Sequence, residues 1–134
     1  MSAETAKATA ITPPVASKNV IVLAASATAR RLKIPSQFRN SWLTVEADGE
    51  KTGFLLGGDS VTASLTGVTT LSGEDIGSFA GTECERVPDG TAKHVDLSQV
   101  DTGADGKGDL YLSHIQATAT GYVTIKFSSG RLKV

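Results

Sequence analysis

The chain is predicted to be all-β, a β-sandwich or jelly-roll-like barrel of about eight short strands, and three observations predict it. Val, Ile, Thr and Ser, with 14 glycines, take the place of the long helix formers, which favours pleated sheet over helix. Short apolar or alternating runs recur along the chain with turn residues between them. Neither an internal repeat nor a long amphipathic helix interrupts that rhythm. At 134 residues there is room for one such domain, 19–134, and a short N-terminal arm, 1–18. Aromatic residues make up 5% of the chain and apolar residues 40%, so the core is expected to be built from Val, Ile, Leu and Ala.

The arm, "MSAETAKATAITPPVASK", is Ala, Thr, Ser and Pro with too little apolar content to order itself, and flexibility is the expectation. Ile11 and Val15 stand out in it as small apolar anchors, with Pro13 and Pro14 stiffening the chain between them. "NVIVLAASATA" follows, with a faint likeness to a signal peptide. Its apolar part is short, prolines precede it and its basic end is weak, so an arm leading into a first strand fits better. "NVIVLA" reads as a strand covered on both faces. "RLKIP" places Leu32 and Ile34 on one face, and Pro35 ends the pairing. "SWLTVEADGEKTGFLLGG" reads as the clearest hairpin, with Leu43, Val45 and Ala47 inward and an Asp-Gly turn. "DSVTASL" is expected as a further strand, then a mostly irregular stretch from Gly67 to Gly90 with a strand through "ECERV", then "KHVDLS". A closing strand pair spans Asp109 to Arg131, turning at "ATG", with Val123, Ile125 and Phe127 on one face of its return. No run approaches the length of a membrane span, and a soluble protein without membrane contact is expected.

Charge is divided along the chain. Six bases against Glu4 give the segment Met1 to Val45 a balance of +5; thirteen acids against four bases give Glu46 to Asp109 a balance of −9; the remainder carries +3, which sums to the net −1. Basic front and acidic middle can pair within one fold or between neighbouring chains. "ARRLKIPSQFRN" gathers Arg30, Arg31, Lys33 and Arg39, yet the slightly acidic whole and scarce aromatics favour an acidic protein partner over nucleic acid. Trp42 opens a strand whose next residue points inward. It is expected outside, either anchoring a partner or capping the end of the core.

Catalytic and metal patterns are weak. His94 and His114 are the only histidines, and no G-x-S-x-G elbow accompanies them, so both are read as half-buried or surface strand residues of a non-enzymatic chain. The single cysteine, Cys84, allows no internal disulfide and lies between Glu83 and Glu85, the wrong surroundings for a reactive thiolate. Asp101, Asp105 and Asp109 recur every fourth residue in a Gly-rich loop, but an EF-hand needs acids at every second position and a Glu at its end. A solvated loop without calcium is the reading, and no cofactor is expected. The glycines of "LLGGDS" and "GKGD" lack phosphate-loop spacing.

The order "ASATARRLKIP", "WLTVEADGEKTGFLLGGDSVTAS" and "SHIQATATGYVTIKFSSG" resembles small structural proteins of tailed bacteriophages. A hairpin ending near Gly-Asp-Ser-Val-Thr-Ala and a final "I-x-A-x-x-x-G-x-x-x-I" pair carry the likeness from about Ala24 to Gly130; the acidic insert from Gly67 to Gly108 departs from it. Within that class the chain is similar to head decoration, or cement, proteins. The resemblance implies a virion component, assembled in the host cytoplasm, that binds the major capsid protein or another virion structural protein and ties capsomers together. It implies a homo-oligomer, first of all a trimer. Ile11, Pro13, Pro14, Val15, Arg30, Arg31, Arg39 and Trp42 are the residues expected to meet that partner. Alternatives from other classes are a tail, baseplate or fibre module, and a carbohydrate-binding or adhesin domain.

Overall fold

A computed structural model of the chain describes residues 19–68, 83–100 and 109–128. Eight strands run through them: β1 (Val20–Ala24), β2 (Arg30–Lys33), β3 (Trp42–Asp48), β4 (Thr52–Gly57), β5 (Glu85–Val87), β6 (Ala92–Asp96), β7 (Tyr111–Gln116) and β8 (Tyr122–Ser128). Two single 3-10 turns, Ser36–Phe38 and Leu97–Gln99, are the helical elements among the described residues. The strands form two antiparallel four-stranded sheets, ordered β1-β8-β3-β6 and β2-β7-β4-β5. A sandwich-like arrangement results, with the core between the sheets.

Period-two alternation fills that core. Leu43, Val45 and Ala47 of β3 face inward beside Phe127, Ile125 and Val123 of β8, their register partners. From the other sheet come Leu112 of β7, Phe54 of β4 and Val87 of β5. Leu43, Val45, Val87, Leu112, Val123 and Ile125 are wholly shielded from water. Each such side chain contributes on the order of 1.5–3 kcal/mol of transfer free energy. Lys93 of β6 and Glu85 of β5 form an ion pair that joins the edges of the two sheets.

Several sequence expectations require correction, and the reason is shared. β3 and β4 do not form a hairpin: β3 pairs with β8 and β6, whereas β4 pairs with β7 and β5. The turn at Gly49 (φ 95°) carries the chain from one sheet to the other. The closing strands β7 and β8 likewise lie in different sheets, joined through Gly121 (φ 86°). Both turns place an apolar face across the core from its neighbour in sequence, where a hairpin would have set the two faces side by side.

"DSVTASL" is a covering segment and not a strand, because β4 already has a neighbour on each side. It forms one isolated bridge, Ser64 to Glu83. Ala63 is buried, and its N–H donates to Ser113 Oγ at 2.9 Å on the outer face of β7. Gly53 leaves the space that Leu65 and the Cys84 sulfur occupy. Two arginines hold this cover down through its carbonyls. Arg31 donates to Val61 O (2.8 Å) and Asp59 O (2.7 Å), and Arg86 to Leu65 O (2.9 Å) and Gly67 O (3.2 Å).

Candidate functional site

One end of the sandwich is formed by β1 and β2, the first strand of each sheet. Among the described residues "VIVLA" is therefore an edge strand, and it is not covered on both faces: Ile21 is 40% exposed and Val22 57%. The ladder shows which of its backbone groups are engaged. Phe127 N–H donates to Asn19 O, and Ala25 N–H to Gly121 O. Antiparallel pairs alternate, so Asn19, Ile21, Leu23 and Ala25 turn their peptide groups toward β8. Val20, Val22 and Ala24 turn theirs away from it.

Beside this edge lies a groove of ≈ 370 Å³ lined by Asn19, Val20, Ile21, Leu32, Pro35, Phe38 and Phe127. In it the Phe38 and Phe127 rings stack with centroids 4.3 Å apart and planes 2° from parallel. Asn19 closes one end by donating from Nδ2 to Phe127 O at 3.4 Å. Arg30, Arg31 and Lys33 of β2 are all exposed; Arg30 shares the face of Leu32, which lines the groove, and Arg31 and Lys33 lie on the opposite face. Lys33 faces Asp109 at 3.7 Å with both side chains more than half exposed. Among the described residues, no carboxylate lies within ion-pair distance of Arg30 or Arg31.

The edge strands differ in how they are protected. β2 carries Arg30, Arg31 and Lys33, β5 carries Glu85 and Arg86, and β6 carries Lys93, His94 and Asp96. Charges of this kind discourage pairing with a further strand. β1 carries none.

The predicted partner residues separate accordingly. Arg30 is exposed on β2, two residues from the groove-lining Leu32. Arg31 lies beside it with part of its guanidinium engaged by the cover. Arg39 turns inward to the chain's own backbone, donating to Leu97 O (2.7 Å) and Val100 O (2.8 Å) at the second 3-10 turn. Trp42 is half-buried on the outer face of β3, in register with Asp96 and Ser128. Ile11, Pro13, Pro14 and Val15, the remainder of the arm, and Asp101 and Asp105 of the acidic loop lie outside the described residues. Sequence reasoning missed Val22, Leu32 and Phe127 as members of this edge; an uncharged five-residue strand was the available signal.

The histidines part company as well. His94 is exposed, and its Nδ1 lies 2.8 Å from Thr44 Oγ1. His114 is not at the surface: it is 3% exposed, with Nδ1 3.3 Å from Gln116 Oε1. That oxygen also accepts from Ser26 N–H at 2.7 Å, and Gln116 Nε2 donates to Thr52 Oγ1 at 3.2 Å. Burial holds the His114 imidazole below its ordinary pKa; the Gln116 bond opposes this and the positive charge of Arg30 adds to it. The network ties the β1–β2 connection to the interior. Among the described residues, no three His, Cys, Asp or Glu side chains gather as a metal-binding group.

No family model, curated protein or solved structure matches this chain.

Proposed function

We propose that this chain is a non-enzymatic structural protein that docks on a larger protein assembly, and that the assembly is the head of a tailed bacteriophage. The single observation behind docking is β1, an uncharged edge among the described strands with Val22 57% exposed, where the other edge strands carry charge. A strand left in that state takes up another chain readily. The choice of a phage head rests on the likeness to decoration proteins carried by "WLTVEADGEKTGFLLGGDSVTAS" and "SHIQATATGYVTIKFSSG". In this reading the two sheets form a stiff body that the edge presents to the shell, and repeated contacts across capsomers reinforce it. The major capsid protein is the partner, and the decorating unit is a homo-oligomer, a trimer first.

Purified expanded phage heads assembled without the chain, mixed with it and sedimented, provide the test. Saturable co-sedimentation at a fixed number of copies per capsomer is expected. Binding to tails alone, or to neither part of the particle, would contradict the proposal.

A further inference from the structure

We infer that β1 and the groove beside it form a strand-acceptor site, which takes an extended segment of another protein with apolar residues at alternate positions and an acidic residue near Arg30. The inference rests on the chain being a docking module, but not on the assembly being a phage head. Two independent features meet here. The backbone of Val20, Val22 and Ala24 faces away from β8, so an incoming strand finds donors and acceptors in β-ladder spacing. The groove supplies an apolar floor, Leu32, Phe38 and Phe127, for every second side chain of that strand.

Charge selects among occupants. Arg30 alternates with Leu32 and so lies on the same face of β2, at about one two-residue repeat from the groove. Its guanidinium has no carboxylate within ion-pair distance among the described residues, and burying the site next to it would favour an incoming Asp or Glu. A second copy pairing β1 with β1 would bring Arg30, Arg31 and Lys33 toward their own counterparts, a like-charge encounter. The chain's own first eighteen residues carry Lys7 and Lys18 against Glu4, the wrong sign for a site beside Arg30. An acidic strand from a different protein fits better than either.

The probe is a peptide, Glu-Val-Thr-Val-Thr-Val-Glu, acetylated and amidated at its ends, titrated into isotopically labelled full-length protein while amide NMR signals are followed. Signals of Val20, Val22 and Ala24 are expected to move, and the same peptide with Lys for Glu should bind about ten-fold more weakly at low ionic strength. Val22→Pro removes one outward N–H without touching the β8 ladder, a position where an edge strand tolerates proline. It should abolish peptide binding and leave the unfolding midpoint nearly unchanged. Should Val22→Pro not fold, Arg30→Glu serves instead, and it should reverse the preference between the two peptides. Equal binding of both peptides, binding unaffected by these variants, or movement of the same amides with protein concentration alone would overturn the inference. No particle is involved, so failure on phage heads with peptide binding intact would count against the phage reading only.

Discussion

Asp48 and Gly121 meet backbone to backbone: a Cβ added to Gly121 would lie 2.5 Å from the Asp48 carbonyl oxygen. The two turns that pass the chain between sheets are thereby packed on one another, since a Cβ on Gly49 would in turn lie 3.0 Å from the Gly121 Cα. Both glycines also hold positive φ. Gly121 is thus fixed twice, by conformation and by space.

Gly121→Ala is expected to cost about 3 kcal/mol or more, because the strained φ and the clash with a main-chain oxygen add. Gly90→Ala separates the two effects. Gly90 has φ 79°, but nothing lies within 4 Å of an added Cβ, so about 1 kcal/mol is expected there. Urea unfolding of both variants checks the difference; equal losses would contradict the packing of the turns.

Stability should fall as pH drops below neutrality, through His114. Its folded pKa is below its ordinary value, so the unfolded chain binds the proton more readily. The His114 contribution is complete above the unfolded pKa of about 6.5 and declines as pH falls through that value toward the lower folded one. His114→Gln removes the titrating group, so the gap in stability between wild type and variant should narrow from pH 7.5 to 5. A gap that stays constant or widens would contradict the burial of His114.

The space at Gly53 gives a coupled pair. Gly53→Ala would drive a Cβ against the Cys84 sulfur and to 2.9 Å from Leu65 Cδ2, and a loss of about 1–3 kcal/mol is expected. Cys84→Ala removes the sulfur. Together the two substitutions should cost less than the sum of their separate effects, by at least about 0.5 kcal/mol in a double-mutant cycle. Strict additivity would show that the cover does not press on Gly53.

Arg31 and Arg39 make similar bonds in different surroundings. Arg39→Lys leaves one of two carbonyls in a part-buried site without the fork that served both, and about 1–2 kcal/mol should be lost. Arg31→Gln acts on an exposed contact. Its effect on the unfolding midpoint should be small, while limited proteolysis should cut earlier between Asp59 and Val61. Cleavage at an unchanged rate would mean that Arg31 does not hold the cover.

The all-β class, and the inward faces of β3 and β8, were legible because Leu43, Val45 and Ala47, like Val123, Ile125 and Phe127, alternate without a break. Pairing was not. An Asp-Gly turn at Gly49 and a Gly turn at Gly121 are local signals shared by hairpins and by corners between sheets, and the long-range register of β3 on β8 decides between them. The candidate edge was half legible for the same reason. An apolar run such as "VIVLA" looks alike whether a neighbour covers it or not, and a count of basic residues does not reveal that carbonyls at Leu97 and Val100 lie within reach of Arg39.

Amide hydrogen exchange along β1 in the free, dilute protein tests the docking account most directly. Ile21 and Leu23 should exchange slowly, because their N–H groups point to β8, and Val20, Val22 and Ala24 should exchange fast. Slow exchange at Val22 in the monomer would mean that the edge is already covered, and the acceptor site would not exist.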